Sequence, residues 1–243
     1  MSELRWDPLD RTWALIATDR GRRPSDFMPP ERRHAPHAPC PFCLILDGKG
    51  PATRIAQRRT KQDVVAVLAN RFPVLTVEAP SERRQVGPYD YVSGVGAHEV
   101  VVETTRHDLR FRDFPTEQIA AVLMTWRDRV NDLTRDRRFQ HVEVFKNDGP
   151  NAGATLSHAH SQIVATPILP PRLLRQLDAA QTHWQTKERC LVCDIVGFES
   201  EVGTRVIDNE GDFIAWCPYA SHHPFEVEIS SRRHSPFLSL IHI

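Results

Sequence analysis

The chain has 243 residues, 40% of them hydrophobic and 26% charged, and its 31 Lys and Arg residues balance its 31 Asp and Glu residues. This length is sufficient for one large domain or two smaller ones, and the ordinary composition excludes wholesale disorder. The balanced charge argues against a nucleic-acid or membrane-surface partner, and no apolar run is long enough to span a membrane. The N-terminus lacks a signal-peptide core, so a cytoplasmic protein is expected.

Strands and amphipathic helices are predicted from β-branched runs and from apolar residues recurring at helical spacing. In chain order, the pattern predicts strands at 64–68 and 100–102, a helix over about 115–136, a strand at 141–145, a strand through 163–164 and a helix over about 172–189. This order predicts an α+β fold in which an antiparallel sheet is flanked by helices.

Two parts of the chain repeat the same features in the same order. Each has a C-x-x-C pair followed by a strand-like run that leads to a histidine, and the two sets are Cys40/Cys43 with 98–107 and Cys190/Cys193 with 225–234. Two matches in one order favour duplication over chance. The prolines at 167, 170 and 171 place the boundary between the copies, which predicts one unit at 1–171 and another at 172–243.

The paired cysteines indicate metal binding, because C-x-x-C in a chain without an export signal more often binds metal or performs redox chemistry than forms structural disulfides. Structural zinc takes four ligands, and His107 and His158 are the candidates to complete a Cys2His2 set with Cys40 and Cys43. The alternative is that Cys40 and Cys43 are reduced cysteines of the core, and the repetition of the motif argues against it.

His158, His160 and Gln162 alternate along the chain, so on a strand they would project from one face. Upstream lies a glycine-rich turn at 147–155, whose glycines can turn backbone N–H groups inward around phosphate oxygens. The combination indicates phosphate chemistry, although such a turn can also be a simple hairpin.

These features together resemble the galactose-1-phosphate uridylyltransferase family of the histidine-triad superfamily, which includes ADP-glucose phosphorylases. The resemblance runs essentially from end to end. Its motifs lie at 6–13, 20–24, 40–43, 70–73, 101–108, 145–162, 216–220 and 224–226.

The resemblance implies a role for each matching residue. His160 would be the nucleophile that attacks the α-phosphorus of a nucleoside-diphosphate sugar, and Gln162 would hydrogen-bond the phosphoryl oxygens. One zinc site would have the ligands Cys40, Cys43, His107 and His158, and a second would have Cys190, Cys193 and His234. Substrate-binding residues would be Arg20, Arg23, Asn70, Phe72, Asn147, Gly153 and Thr155. The resemblance also implies a homodimer.

The implied activity is transfer of a nucleoside monophosphate from a nucleotide sugar to a sugar phosphate, through a nucleotidyl-histidine and a ping-pong mechanism. Gln162 favours transfer over hydrolysis, because histidine-triad hydrolases carry a third histidine there. The segment Ala154-Thr155-Leu156-Ser157 replaces the Cys-Ser-Asn-Pro frequent among uridylyltransferases, and it favours an ADP-glucose phosphorylase instead. A dinucleoside-polyphosphate phosphorylase and a zinc-organised nucleotide-binding module without turnover are further alternatives.

The second unit is expected to be truncated. The step from His107 to His158, repeated from His234, would end beyond the last residue, Ile243. A longer gene that continues past Phe237 with a different sequence is therefore expected.

Overall fold

Residues 2–17 and 39–235 are described by the structure, which is a computed structural model. Four helices form within these residues: α1 Pro41–Leu46, α2 Thr116–Leu133, α3 Pro171–Lys187 and α4 Leu191–Val202. The strands are β1 Ser2–Asp7, β2 Thr12–Ala17, β3 Arg54–Arg59, β4 Val64–Ala69, β5 Arg83–Val86, β6 Tyr89–Val92, β7 Ala97–Val102, β8 His141–Phe145, β9 His160–Thr166, β10 Val206–Asp208, β11 Phe213–Trp216 and β12 Glu228–Ser231. The predicted α+β class is confirmed.

The largest sheet has five strands in the order β3-β4-β7-β9-β8, and every neighbouring pair is antiparallel. Strands β4 and β7 are valine-rich because both of their faces are covered. One face packs against α2 through residues that include Val67, Val101 and Ile163. The opposite face packs against α1 through Phe42, Leu68, Val100 and Val102. Side chains therefore alternate between an α2 face and an α1 face along each strand.

The predicted helices form, and local backbone geometry decides their ends. The first begins at Thr116, with Pro115 as the N-cap residue, and it ends at Leu133, three residues before the predicted end. The second begins at Pro171 and ends at Lys187, because Glu188 takes a left-handed conformation with φ 55°. The strands predicted at 64–68, 100–102 and 141–145 all lie within observed strands.

The described residues divide by their contacts into two compact units, 39–169 and 2–17 with 170–235. The second unit contains the antiparallel hairpin β1-β2, helices α3 and α4, and the antiparallel sheet β10-β11-β12. Its core joins Val196 of α4 to Ile214 and Trp216 of β11. In the described part of the chain, no helix is both long enough and apolar enough to cross a membrane.

A buried ion pair attaches α2 to β7 in the first unit. Arg129 donates two hydrogen bonds to the Glu99 carboxylate, at 2.8 and 2.6 Å, and only 12% and 5% of the two side chains are exposed. We expect Arg129→Ala to destabilise the protein by about 3–5 kcal/mol, because it leaves the Glu99 charge buried without a partner. Chemical denaturation measures this loss. Arg135→Ala, which removes an arginine with 81% of its side chain exposed, should change the stability by less than about 0.5 kcal/mol, and an equal loss in both variants would contradict the prediction.

Candidate functional site

The first C-x-x-C pair lies at the start of α1. Cys40 is the N-cap residue, Pro41 opens the helix and Cys43 lies in its first turn. Because the chain bends into a helix between the two cysteines, both sulfur atoms approach the same two histidines. His107 follows β7, and His158 precedes β9 by two residues. The structure thus brings together all four predicted ligands of the first zinc site, with their donor atoms within 4.8 Å of one another.

The spacing of these donors matches a tetrahedral zinc site. His158 Nδ1 lies 3.7 Å from Cys40 Sγ and 3.5 Å from Cys43 Sγ, and His107 Nδ1 lies 3.5 Å from Cys43 Sγ. Typical zinc–sulfur and zinc–nitrogen bonds place neighbouring donors about 3.6 Å apart. His158 Nε2 donates to the Thr104 carbonyl oxygen at 2.8 Å, which leaves Nδ1 without a proton and free to bind metal.

Burial determines the charges of these ligands. The His158 side chain is fully buried, and desolvation lowers its pKa, so it is held as the neutral imidazole that a metal requires. Burial and the neighbouring Cys40 raise the pKa of the Cys43 thiol. A bound zinc ion would instead lower the pKa of the Cys43 thiol, because it would stabilise the thiolate.

The second C-x-x-C pair repeats this geometry in the other unit. Cys190 is the N-cap residue of α4, and Cys193 Sγ lies 3.2 Å from Nδ1 of His234, which follows β12. The three donor atoms lie within 4.8 Å of one another. The described residues bring no fourth His, Cys, Asp or Glu donor into this group, which therefore has three of the four ligands of a closed zinc site.

His160 is the first residue of β9 and lies on the α1 face, with its ring centroid 5.2 Å from that of Phe42. Its Nδ1 donates to the His158 carbonyl oxygen at 2.8 Å. The proton is thereby placed on Nδ1, and the lone pair of Nε2 is available for attack on an electrophile. The residue that supplies this carbonyl also contributes a metal donor, so the candidate nucleophile and the candidate metal site share one backbone segment.

A partly buried lysine fixes the backbone of His160 from the other face of the sheet. Lys146 Nζ donates to the His160 carbonyl oxygen at 3.0 Å and to Glu103 Oε2 at 2.7 Å. The Glu103 side chain is fully buried, and desolvation raises its pKa while the Lys146 charge opposes this effect. This pair was not predicted from the sequence. The one indication in the sequence was that an acidic residue, Glu103, directly follows the apolar run Val100–Val102.

Gln162 lies two residues further along β9 on the same face as His160. Its Oε1 lies 2.9 Å from Nε2 of His98, and the Asn70 side-chain nitrogen lies 2.9 Å from the same atom. The structure thus connects Gln162 to Asn70, a predicted substrate-binding residue, through His98, for which the sequence predicted no role. Phe72, also a predicted substrate-binding residue, is 79% exposed, and its N–H donates to Asn70 Oδ1 at 2.9 Å.

The glycine-rich turn after β8 closes on itself. Gly149 and Gly153 have φ of 84° and 85°, a region that favours glycine, and they flank a 3-10 turn over Pro150–Ala152. The N–H groups of Ala152, Gly153 and Ala154 donate to the carbonyls of Gly149 or Pro150 at 3.0–3.2 Å. These three amides are engaged within the turn instead of facing a concavity, which differs from the prediction.

The remaining predicted substrate residues have different outcomes. The side-chain nitrogen of Asn147 lies beside Gly153, 3.7 Å from where a β-carbon there would be, and Thr155 is exposed. Arg20 and Arg23 lie outside the described residues.

The chain is similar to known proteins in sequence and in structure. Residues 1–170 match the family model for the N-terminal domain of galactose-1-phosphate uridyl transferase. The chain is 29% identical over 238 residues to ADP-glucose phosphorylase of Arabidopsis thaliana, covering 96% of this chain and 66% of that protein. It is 30% identical over 235 residues to the galactose-1-phosphate uridylyltransferase of Thermotoga maritima, covering 96% and 68%. The chain thus spans about two thirds of the length of the curated relatives that it matches.

Solved structures give the same relationship. A crystal structure of the Arabidopsis thaliana ADP-glucose phosphorylase with bound ADP-glucose superposes with a TM-score of 0.78 at 26% identity, covering 98% of this chain and 71% of that one. A structure of a uridylyltransferase gives a TM-score of 0.72 at 28% identity, covering 98% and 68%. Because the family model matches residues 1–170, more than half of this chain, the chain belongs to the galactose-1-phosphate uridyl transferase family.

Proposed function

We propose that this chain is a nucleotidyltransferase that moves a nucleoside monophosphate from a nucleotide sugar to a sugar phosphate through a covalent intermediate on His160. The observation that carries the proposal is the hydrogen bond from His160 Nδ1 to the His158 carbonyl, which leaves Nε2 as a free nucleophile. Family membership supports the same chemistry.

The reaction would consist of two displacements at phosphorus. His160 Nε2 attacks the α-phosphorus, a P–N bond forms, and the P–O bond to the departing sugar phosphate breaks. An oxygen of the incoming sugar phosphate then attacks the same phosphorus, and the P–N bond breaks. Each step is easier than direct transfer between two anions, because one of the two partners is a neutral imidazole.

Gln162 suits a reaction in which both the leaving group and the acceptor are phosphates. A phosphate monoester has a second pKa near 6, so it can leave or attack at neutral pH without a proton transfer. A side-chain amide can donate a hydrogen bond to a phosphoryl oxygen but cannot act as a general acid or base. Water, as an acceptor, would gain from a general base that this position does not provide.

Gln162→His is therefore expected to shift the protein toward hydrolysis. A histidine can accept the proton of an attacking water, and general-base catalysis contributes about 10²–10⁴-fold. We expect release of free nucleoside monophosphate from the nucleotide sugar to rise at least tenfold, measured by chromatography without an acceptor. Gln162→Asn, which keeps an amide, is the matched control. Hydrolysis that is unchanged in the histidine variant would contradict this role of Gln162.

An ADP-glucose phosphorylase is the second candidate function. The relative from Arabidopsis thaliana carries this name, and its structure holds ADP-glucose. The segment Ala154-Thr155-Leu156-Ser157 supports a phosphorylase, because it replaces the Cys-Ser-Asn-Pro that is frequent among the uridylyltransferases that this chain resembles. The two functions share the histidine intermediate and differ in the base of the nucleotide and in the acceptor. The acceptor of the phosphorylase would be inorganic phosphate, whereas that of the uridylyltransferase would be a sugar phosphate.

Trapping the intermediate tests both functions. The protein is incubated with UDP-glucose, ADP-glucose or diadenosine tetraphosphate, each labelled with ³²P at the α-phosphate, and acid-labile label on the protein is measured. The labelling nucleotide identifies the base, and release of label by galactose 1-phosphate or by inorganic phosphate identifies the acceptor. Absence of label with all three substrates would reject turnover and favour the non-catalytic zinc-organised nucleotide-binding module.

Further parts of the proposal concern zinc, assembly and location. We propose zinc at Cys40, Cys43, His107 and His158, where it would shape the site without activating water, and a second zinc at Cys190, Cys193 and His234. The division into related units at 1–171 and 172–243, the homodimer and the cytoplasmic location stay predictions. Light scattering after size-exclusion chromatography measures the oligomeric state.

A further inference from the structure

His98 lies on β7, on the α1 face that also carries Gln162. In the register of β7 and β9, His98 is opposite Val164, and Val100 is opposite Gln162, so the two side chains are diagonal neighbours across the strands. Both residues are partly buried. His98 Nε2 and Gln162 Oε1 are 2.9 Å apart, within hydrogen-bonding distance.

The surroundings of His98 decide which of its nitrogens carries the proton. The backbone N–H of Val74 points at Nδ1, at 3.2 Å, and a backbone N–H can only donate. The side-chain nitrogen of Asn70 lies at similar distances from both ring nitrogens, 3.3 Å from Nδ1 and 2.9 Å from Nε2, so it does not distinguish between them. Because Nδ1 faces a fixed donor, it is the acceptor, and in the neutral ring the proton lies on Nε2. Nε2–H therefore donates to the Gln162 oxygen.

This hydrogen bond fixes the orientation of the Gln162 amide. An amide has a carbonyl oxygen at one end and an NH₂ group at the other, and rotation by about 180° exchanges them. With its oxygen held by His98, Gln162 keeps its NH₂ group for other partners. An anionic phosphoryl group can be bound by the NH₂ group but is repelled by the oxygen, so the rotation would convert an attractive contact into a repulsive one.

We propose that His98 is a positioning residue that holds the Gln162 amide with its NH₂ group toward the reacting phosphoryl group. His98 touches neither substrate nor nucleophile in this role, and it acts through Gln162. The inference rests on the proposed function of the His160 site. It also explains why a histidine occupies a strand otherwise rich in valine, and why Asn70 and Gln162, far apart in the sequence, share one partner.

Single-turnover labelling of His160, with nucleotide affinity measured separately, tests this role. His98→Leu removes both the donor and the acceptor, and we expect it to slow labelling by about 10–100-fold, less than the about 10²–10³-fold for loss of a transition-state donor, because the amide itself remains. His98→Gln can accept from Val74 and donate to Gln162, and it should recover most of the rate. His141→Leu removes a histidine from β8 of the same sheet and serves as the matched control.

A double-mutant cycle separates positioning from a general structural effect. If His98 acts through Gln162, His98→Leu will slow a Gln162→Ala protein by less than about twofold, because no amide remains to be oriented. Multiplication of the two single losses would overturn the proposal, as would full activity of His98→Leu. Equal melting temperatures and zinc contents confirm that the compared proteins are folded.

A second measurement does not depend on activity. Nitrogen chemical shifts of ¹⁵N-histidine-labelled protein, assigned with His98→Leu, should give the tautomer with the proton on Nε2. A proton on Nδ1 would overturn the proposal even in an active protein. If the wild-type protein takes no label but His98 has the expected tautomer, the proposed function fails while the inferred hydrogen bond stands.

Discussion

His160→Asn is expected to abolish the nucleotidyl-enzyme and to reduce turnover by about 10⁶-fold, the scale of loss when a catalytic nucleophile is removed. The reason is geometric: His160 Nδ1 is committed to the His158 carbonyl, and Nε2 is the atom available for attack. Asparagine can still donate a hydrogen bond toward that carbonyl, so the substitution removes the nucleophile with little disturbance of the strand. Acid-labile label on the protein and steady-state turnover measure the two effects.

Two controls make this result specific. His141→Asn changes a histidine on the neighbouring strand β8 and should retain label and turnover. Binding of nucleotide to His160→Asn, measured by calorimetry, should persist, since the backbone around the site is intact. Label that survives in His160→Asn and disappears on substitution of another histidine would assign the nucleophile elsewhere.

Cys43→Ser is expected to remove one equivalent of zinc and to lower the melting temperature by about 10 °C or more. Structural zinc contributes apparent binding free energies of about 10–16 kcal/mol in small zinc-binding domains, and this binding is coupled to folding. Cys43 Sγ is within 3.5 Å of both histidine donors, so its loss opens the centre of the cluster. Metal analysis and thermal denaturation, with and without chelator, measure the two effects.

Cys217→Ser is the matched control, because Cys217 belongs to neither cluster of metal donors. It should leave the zinc content unchanged. Chelator should lower the melting temperature of the wild-type protein and leave that of Cys43→Ser much less affected. Cys193→Ser tests zinc at the second cluster, Cys190, Cys193 and His234, by the same measurements of zinc content and melting temperature. An unchanged zinc content in Cys43→Ser would contradict zinc at the first cluster.

The sequence was sufficient to predict features that depend on residue type and short spacing. Cys40 and Cys43 are three residues apart, so a single helical turn brings them together. Structural zinc takes four ligands, and His107 and His158 were therefore predicted to complete the set. The two long helices were predicted because their apolar residues recur at helical spacing. Their ends differed by a few residues because those depend on backbone conformations, such as that of Glu188, which periodicity does not encode.

Features that depend on the pairing of distant strands were not predicted. The contact of His98 with Gln162 follows from the register of β7 against β9, which a single sequence does not specify. The pair of Glu103 and Lys146 depends in the same way on segments that meet only in the folded sheet. Inward-facing amides were one interpretation of the glycine-rich turn, but glycine permits several turn geometries, and the amides of Ala152, Gly153 and Ala154 donate within the turn itself.

The five-stranded sheet also determines how local fluctuations reach the candidate site. Its edges are β3 and β8, whereas His160 and Gln162 lie on the interior strand β9, where Gln162 is paired on both sides and His160 is paired with β7. Edge strands open most easily, because fewer hydrogen bonds must break, and interior strands open only when much of the domain unfolds. Fraying of either edge therefore leaves His160 in register with Val102. In kinetic terms, the lifetime of His160 in the proposed attacking geometry depends on the pairing of β9 with β7 and not on the opening of an edge strand.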